Sequence, residues 1–485
     1  MESVVETLGP ILREIWPWVV SVAYVFVAVW AAGHAIIHKR DVRAAIGWTG
    51  LILFSPFVGA TAYYFFGINR LRRRAVKLAS AKNANAKPTE RSAAPLVQPR
   101  FGEPLDRLNH AVARTTGQPL LAGNAVMPLA NGDAAYPEML RAIAGAEHSI
   151  VLETYIFDVD HAGRMFLDAL AEATARGVQV RVLIDGVGKR YSSPPVTREL
   201  RRRGVPHAVF LPTRMPLRNP YMNLRNHRKM LIVDRRVGFA GGLNIREGCL
   251  LEQPSAHPVQ DVHFRFDGPV VDQMFAEAFA DWHFATGERL EGASWESATF
   301  HAGDVLARGI PDGPDDHFET IRWTILAALT AAHRSVRIAT PYFLPDQPVI
   351  HALGLAALRG VEVDILVPEV NNLRFVKWAS TAQLWQVLMP GCRVWLTPPP
   401  FDHSKVMVVD ETWSLVGSAN WDARSLRLNF EFNVECYDET LAGWLMEFTA
   451  DKMARGRQTS LAEVDARGIP VRLRDGIARL FAPYL

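Results

Sequence analysis

A group of side chains suited to binding and transferring a phosphate occurs twice in the chain. The first copy is His227, Lys229, Asp234, Gly241, Gly242 and Asn244, and the second is His403, Lys405, Asp410, Gly417, Ser418 and Asn420. The intervals between these residues are identical in the two copies. Imidazole can attack phosphorus or exchange a proton near neutral pH, an ammonium group neutralises an anion, and an amide adds a neutral donor. The pattern therefore indicates a duplicated site for a phosphate.

Each copy is predicted to form two strands joined by a tight turn. Residues 230–233 and 237–240 are apolar runs separated by a turn that begins with Asp234, and residues 406–409 and 413–416 flank Asp410 in the same way. His and Lys are two residues apart on extended chain, so both project from one face. Glycines after the second strand let the backbone approach a ligand closely.

The duplication extends over most of the chain. Residues 149–155 align with 335–341, and residues 176–185 align with 359–368. Each half alternates strand and helix, which predicts an α/β fold with mixed β-sheets flanked by helices. The halves are expected at 101–289 and 317–485. A pseudo-twofold axis between them would bring the two His/Lys faces into one cleft.

The N-terminal region is predicted to anchor the protein in a membrane. No Lys, Arg, Asp or Glu occurs at 15–37 or at 44–69, and about 20 apolar residues span a bilayer. Residues 11–69 are therefore interpreted as a transmembrane helical hairpin, rather than as a cleaved signal peptide or two core helices. Residues 70–100 form a basic juxtamembrane segment and a linker. The distribution of basic residues favours a catalytic body on the cytoplasmic side.

Composition excludes some alternatives. A net charge of +3 gives no reason to expect nucleic acid, and three cysteines in separate segments form neither a disulfide framework nor a metal-binding pattern. Zinc binding by the histidines is disfavoured because the neighbouring lysines would repel the cation. No metal or cofactor is expected. An apolar stripe among arginines at 471–481 is interpreted as a packing helix rather than a membrane-binding one.

These motifs resemble the phospholipase D superfamily. The pattern HxKxxxxD, followed by GG or GS and then Asn, is the signature of that superfamily. The segments RNHRKM, QDVHFRFDGPVV, ATPYFLPD and GSANWDARSLRLNFEFN are similar to bacterial cardiolipin synthases in particular. The resemblance covers nearly the whole chain, from about Ile11 to Leu485. It implies two phospholipase D-like halves.

The resemblance also implies roles for the motif residues. His227 would be the nucleophile and His403 the general acid and base, although the reverse assignment stays open. Asp261 and Glu431 stand where the family places the carboxylates that orient the histidines. Lys229, Lys405, Asn244, Asn420 and Ser418 would bind or orient the substrate. Asp234 and Asp410 belong to the catalytic motif, but an Asp at a turn more commonly braces the backbone.

The activity implied by the resemblance is phosphatidyl transfer. Two phosphatidylglycerol molecules would give cardiolipin and glycerol through a phosphohistidine, at the bacterial cytoplasmic membrane. The expected partners are the phospholipid bilayer and phosphatidylglycerol, without nucleic acid, and the oligomeric state is left open. A phospholipase D that releases phosphatidic acid is the main alternative, and a nuclease of the same superfamily is a less favoured one.

Overall fold

The computed structural model of the chain describes residues 2–39, 42–67, 102–212, 224–297, 300–314 and 317–482. The chain divides into two compact units, an N-terminal helical unit at 1–74 and a catalytic body at 75–485. The basic cluster and linker expected at 70–100 lie outside the described residues.

The helical unit contains one helix long and apolar enough to cross a membrane. In helix α1 (Glu2–His38), the span Ile15–His38 contains an 18-residue window with a mean hydropathy of 2.0, and no other described helix combines this length and composition. The expected second span is divided into α2 (Val42–Phe54), α3 (Pro56–Ala62) and a π-helical turn at Tyr63–Gly67. Helix α2 ends at Phe54 because Pro56 cannot donate a backbone hydrogen bond and its ring crowds the preceding turn. The hairpin is therefore not two uninterrupted spans.

The catalytic body is built on one mixed sheet whose order reflects the repeat. From edge to edge, its order is β19-β13-β12-β10-β15-β16-β18-β9-β1-β8-β6-β5-β2-β3-β4. The strands of the first half are β1 (Leu121–Ala130), β2 (Ser149–Thr154), β3 (Gln179–Asp185), β4 (His207–Phe210), β5 (Met230–Val233), β6 (Val237–Gly241) and β8 (Val262–Asp267). Those of the second half are β9 (Val305–Asp312), β10 (Ser335–Ala339), β12 (Glu362–Pro368), β13 (Arg393–Thr397), β15 (Val406–Val409), β16 (Trp413–Gly417), β18 (Glu431–Tyr437) and β19 (Arg457–Thr459).

The two halves meet at the antiparallel pair β1 and β9. Outward from this junction, β1-β8-β6-β5-β2-β3-β4 matches β9-β18-β16-β15-β10-β12-β13, so the halves have the same topology. Strand β9 corresponds to β1, which means that the repeat includes residues before 317. Two short pairs complete the body, β7 (Val259–Gln260) with β14 (Phe401–Asp402) and β11 (Phe343–Leu344) with β17 (Trp421–Asp422). The pair β7 and β14 joins the halves, directly before Asp261 in the first half and directly before His403 in the second.

Helices cover the sheet on both sides. In the first half they are α4 (Glu103–Thr116), α5 (Asn131–Ala144), α6 (His161–Ala175), α7 (Val196–Arg202) and α8 (Val270–Thr286). In the second half they are α9 (Thr320–Ala331), α10 (Gln347–Leu358), α11 (Arg374–Thr381), α12 (Trp385–Leu388), α13 (Glu439–Arg455), α14 (Leu461–Asp465) and α15 (Ile469–Leu480). One apolar core lies mainly within each half, and a third contains residues of both. The body therefore folds as one unit around a shared sheet.

The C-terminal helix α15 differs from the sequence interpretation. Its apolar stripe does not pack into the body: Leu473 is 63% exposed and Leu480 is 73% exposed. The buried residues of the helix are Asp475 and Ala478. The interpretation failed because the sequence shows where an apolar stripe lies on a helix, but not whether another part of the fold covers it.

Candidate active site

The two motif histidines lie at the junction between the halves. His227 precedes β5, and its backbone N–H donates to the carbonyl of Phe430, 2.9 Å away and next to the start of β18. His403 precedes β15 and donates in the same way to Gln260, next to β8, at 2.8 Å. Each histidine is therefore fixed to the chain just before a strand of the opposite half.

This arrangement pairs each histidine with a carboxylate from the other half. His227 Nδ1 lies 2.9 Å from Glu431 Oε1 and 3.0 Å from Oε2, and His403 Nδ1 lies 2.8 Å from Asp261 Oδ2. Both carboxylates are buried. A proton on Nδ1 donates to the carboxylate and leaves the Nε2 lone pair available for a reaction. Neither half contains a complete site.

The surroundings of the two carboxylates differ between the halves. Ser418 Oγ donates to Glu431 Oε2 at 2.5 Å, and Asn429 Nδ2 donates to Oε1 at 3.0 Å. Gly242 occupies the corresponding position in the first half, where an added Cβ would lie 2.2 Å from Asp261 Oδ1. The first half thus combines Gly242 with the shorter carboxylate Asp261, and the second half combines Ser418 with the longer carboxylate Glu431.

Two buried lysine ammonium groups lie beside the histidines. Lys229 Nζ donates to the carbonyl of His227 at 2.7 Å, and Lys405 Nζ donates to the carbonyl of His403 and lies 2.8 Å from His403 Nδ1. Burial lowers the pKa of Lys229 to about 7 and that of Lys405 to about 8, and the charge of Lys405 contributes to the shift at Lys229. The two halves therefore place like charges together, which favours an anion between them.

The imidazoles are neutral in this cationic environment. Burial and the lysine charges lower the pKa of His227 and of His403 to about 4, although Glu431 and Asp261 act in the opposite direction. Burial raises the carboxylate pKa values, but the neighbouring lysine charges and the hydrogen bonds from the histidines outweigh it and keep both pKa values below their usual range. Neutral imidazole beside an ionised carboxylate is the state required of a nitrogen nucleophile. Within the described ranges, no group of three His, Cys, Asp or Glu side chains is arranged to hold a metal ion.

The motif asparagines are buried beside the histidine segments. Asn244 Oδ1 accepts from the backbone N–H of Ile156 at 3.2 Å, which leaves its Nδ2 amide group for another acceptor. Asn420 Nδ2 donates to Ser425 Oγ at 3.1 Å, and its buried Oδ1 has no hydrogen-bond partner among the described residues. These amides are the neutral polar groups of the site.

The structure does not bring Asp234 and Asp410 to the histidines. Each follows the strand that the histidine precedes, so the intervening strand separates the two. Asp234 accepts backbone hydrogen bonds from residues 147–149, and Asp410 accepts them from residues 333–335. Both have a left-handed backbone, with φ of 52° and 53°. Their carboxylates brace the turn and the start of the neighbouring strand, β2 or β10.

Sequence reasoning missed four residues around the site. The Tyr155 ring lies 5.0 Å from the His227 ring, and the Tyr342 ring lies 6.4 Å from that of His403. Burial and the nearby charge of Arg225 lower the pKa of Arg424. Burial raises the pKa of Tyr155 and the charge of Arg225 acts against that rise, and Tyr155 in turn affects the pKa of Arg424. Both guanidinium groups therefore approach the aromatic wall, which consists of Tyr155 and Tyr342. The aligned segments that end at Tyr155 and Pro341 pointed to this wall, since each reaches the end of the strand beside a motif.

Comparison with known proteins assigns the family. The family model described as cardiolipin synthase, phospholipase D-like domain, matches residues 139–253 and 325–452, which is half of the chain and includes both motifs. The chain belongs to the cardiolipin synthase family. A phospholipase D-nuclease N-terminal model also matches residues 26–67. Each matched segment of the cardiolipin synthase domain thus carries one His/Lys pair.

Curated cardiolipin synthases are similar to the chain over nearly their whole length. The cardiolipin synthase of Geobacillus thermodenitrificans is 31% identical over 98% of this chain and 95% of its own. Cardiolipin synthase A of Pseudomonas putida is 34% identical over 94% of this chain and 95% of its own. Among solved structures, a phosphatidylserine synthase of Haemophilus influenzae matches with a TM-score of 0.60 and 15% identity, covering 78% of this chain and all of its own. That structure supports the fold alone.

Proposed function

We propose that this protein is a membrane-bound phosphatidyltransferase that makes cardiolipin and glycerol from two phosphatidylglycerol molecules. The observation that carries the proposal is the pair of histidines, each held by a carboxylate of the opposite half, beside two buried lysines. Exchange of one phosphodiester for another needs a nucleophile, a proton carrier and charge neutralisation at phosphorus. These side chains supply all three.

The first step transfers a phosphatidyl group to the enzyme. Lys229 and Lys405 bind the non-bridging oxygens of the donor phosphate. This anion offsets the lysine charges, which raises the pKa of both histidines and lets His403 carry a proton. The Nε2 lone pair of His227 attacks phosphorus, the bond from phosphorus to the glycerol headgroup breaks, and His403 gives its proton to the departing oxygen. The products are phosphatidyl-His227 and glycerol.

The second step regenerates the enzyme. His403, now neutral, removes a proton from the headgroup hydroxyl of a second phosphatidylglycerol. That oxygen attacks phosphorus and the bond from phosphorus to His227 breaks, which forms cardiolipin. His403 is then protonated again for the next cycle. The number of phosphodiesters does not change, so the reaction uses no nucleotide.

The hydrogen bonds at Nδ1 support this division of roles. His227 Nδ1 contacts the Glu431 carboxylate, and that carboxylate is held by Ser418 and Asn429. This fixes the proton on Nδ1 and frees Nε2 for attack. His403 Nδ1 lies 2.8 Å both from the Asp261 carboxylate and from the Lys405 ammonium group. The charge of Lys405 lowers the pKa of His403 and that of Asp261 raises it, so these opposing charges suit His403 to losing and gaining a proton.

Arg225 and Arg424 favour a lipid acceptor over water. The backbone N–H of Phe430 donates to the Arg225 carbonyl at 2.8 Å, and Arg424 begins the turn that leads to Phe430. Both arginines therefore flank the strand that supplies Glu431. A second phosphatidylglycerol brings a second phosphate to the site, whereas water brings none. The two guanidinium groups act electrostatically at Tyr155, whose ring lies 5.5 Å from Lys229 Nζ, and they provide for this additional anion.

The membrane topology is also part of the proposal. Helix α1 is long enough to cross the bilayer, and α2 and α3 are proposed to return through it, with the break at Ser55 within the second passage. The catalytic body is proposed to lie on the cytoplasmic side, because the basic residues of the sequence are more numerous on the side of the body. Labelling of engineered cysteines from either side of sealed vesicles tests this orientation.

The decisive experiment is to trap the covalent intermediate. Full-length enzyme is mixed with phosphatidylglycerol labelled at phosphorus, quenched, and digested for peptide mapping. We expect an acid-labile label on the peptide that contains His227, and free glycerol in equal amount. The matched control is His161→Asn, which changes an exposed histidine at the start of α6 and should leave the label unchanged. Label on the His403 peptide instead would reverse the roles.

The products distinguish transfer from hydrolysis. Cardiolipin as the main product supports the proposed acceptor, whereas phosphatidic acid would identify the protein as a hydrolase. Cardiolipin synthesis without any trapped intermediate, in wild type and in His403→Asn, would contradict the phosphohistidine.

A further inference from the structure

The outward face of helix α15 carries an unusual combination of side chains. Ile469, Leu473, Ile477 and Leu480 are between 49% and 80% exposed. In a helix with 3.6 residues per turn, these four positions fall within about 80° of one another. They therefore form one continuous apolar stripe on the surface of the folded body.

The opposite face of the helix is the one that packs. Ala478 is buried against Leu344, Val376 and Ala379, which attaches α15 to α11 and β11. Asp475 is buried and bound by Arg467 and Arg474. Because the packing face is anchored by an ion pair and a small residue, the apolar stripe is held outward in a fixed orientation.

Basic residues border the stripe on both sides. Arg472 and Arg479 lie along one edge and Arg474 along the other, with Arg474 placed 4.4 Å over the ring of Trp378. The single carboxylate of the helix, Asp475, is buried. An apolar strip bordered by cations, without an exposed anion on the same helix, matches the interface of an anionic bilayer.

The stripe is connected to the mouth of the active site. Phe375, at the start of α11, is 38% exposed and its ring lies 5.7 Å from that of Phe481 at the end of α15. The loop before α11 contains exposed Leu373 and also Asn372, whose Oδ1 accepts from Tyr342 Oη at 2.9 Å. Tyr342 is the residue beside His403. The side chain of Asn372 thus links the exposed apolar loop to the aromatic wall beside His403.

We infer that α15 and the loop at 370–375 form a docking surface that inserts into an anionic phospholipid bilayer and sets the cleft at the lipid headgroups. This surface acts in addition to helix α1. A tether alone holds the body near the membrane without orienting it, whereas a docked face fixes which side of the body meets the lipid. The surface is a property of the fold and does not depend on the outcome of the transferase reaction.

The test uses spin labels on the full-length protein in vesicles of phosphatidylcholine and phosphatidylglycerol. Leu473→Cys carries the label on the stripe. Leu358→Cys is the matched control, because Leu358 is 73% exposed but lies at the end of α10, before β12, whereas the docking loop follows β12. The native cysteines Cys249, Cys392 and Cys436 are buried, so labelling is directed to the introduced residue.

Two relaxation agents identify what covers the label. In lipid, the label at 473 should be at least threefold more accessible to oxygen than to a water-soluble nickel complex, and the label at 358 should show the reverse. High accessibility to nickel at 473 would mean that the face remains in water. Low accessibility to both agents would mean that protein covers it, either another segment of this chain or a second copy. Either of these results overturns the inference.

A charge variant and a kinetic variant extend the test. Replacing both Arg472 and Arg479 by Gln should raise nickel accessibility at 473 several-fold in anionic vesicles; no change would remove the electrostatic part of the inference. Leu473→Gln should raise the KM for phosphatidylglycerol in vesicles several-fold without changing kcat, whereas Leu358→Gln should change neither. This last arm rests on the proposed function. The labelling result stands even if the reaction proves to be different.

Discussion

Replacing Glu431 by Gln tests the pairing of each histidine with a carboxylate of the opposite half. Glu431 is fully buried and receives the Nδ1 proton of His227 from the opposite half. Glutamine has the same shape and can still accept that proton in a hydrogen bond. The substitution therefore removes the negative charge while the geometry is largely kept.

The expected loss follows from the charge that His227 acquires. When Nε2 bonds to phosphorus with Nδ1 still protonated, the ring becomes cationic, and only a carboxylate balances that charge. Leaving one member of a buried ion pair without its partner costs about 3–5 kcal/mol. At about 1.36 kcal/mol per factor of ten, kcat should fall by about 10²- to 10⁴-fold. The burst of phosphoenzyme should slow by the same factor.

A buried glutamate on the same strand provides the control. Glu435 is also fully buried, but it accepts hydrogen bonds from Arg308 and Trp413 and does not contact either histidine. Glu435→Gln should lower the stability of the fold and leave kcat per folded molecule unchanged. Rapid-quench measurement of phosphoenzyme, combined with circular dichroism, separates the two effects. A folded Glu431→Gln enzyme with kcat within fivefold of wild type would refute the orienting role.

Three further predictions concern pH, sterics and the acceptor. The alkaline limb of kcat/KM should have its midpoint between about pH 7 and 8, far below the usual range for lysine, because rising pH removes the charges of Lys229 and Lys405 and with them phosphate binding; a pH profile in vesicles that stays flat to pH 9 would contradict this. Gly242→Ser should reduce kcat by about 10²-fold or more and stability by about 1–3 kcal/mol, because the new Cβ displaces the Asp261 carboxylate; thermal unfolding and a product assay measure both. Arg424→Gln should shift the products from cardiolipin toward phosphatidic acid, and an unchanged ratio would remove Arg424 from acceptor binding.

The repeat in the sequence was sufficient to predict the architecture. Equal spacing of the motifs, together with the aligned strand segments, implied two equivalent halves and a shared cleft. The matching order of β-strands on either side of the junction between β1 and β9 follows from that duplication. The strands could be predicted from local patterns because each of them is a short apolar run close in sequence to its motif.

Contacts between the halves could not be read from either half. Asp261 follows His227 in the chain and Glu431 follows His403, but each carboxylate serves the more distant histidine. That exchange depends on the two segments crossing at the pseudo-twofold axis, which is a property of the assembled sheet. Exposure of the stripe on α15 was missed for a related reason: apolar periodicity reveals a face, whereas its surroundings depend on where the helix is attached.

The buried ion pairs behind the two histidines have opposite polarity in the two halves. In the first half Arg228, beside His227, binds Asp281 on α8 at 2.5 Å. In the second half Asp402, beside His403, binds Lys452 on α13 at 2.7 Å. Arg228 also contacts Glu277 on α8 at 3.1 Å. The helix therefore supplies the anions in one half and the cation in the other, so the sign of the charge on each element differs between the halves.

The front of the site had no such freedom. The phosphate is an anion whichever half approaches it, so both motifs need an ammonium group, and each histidine needs a carboxylate on Nδ1. Exchanging the polarity of either half would place a carboxylate against the phosphate. The divergence behind the histidines and the identity in front of them therefore have one cause: the substrate's charge constrains the residues that face it, whereas a buried charge away from the substrate needs only a partner of opposite sign.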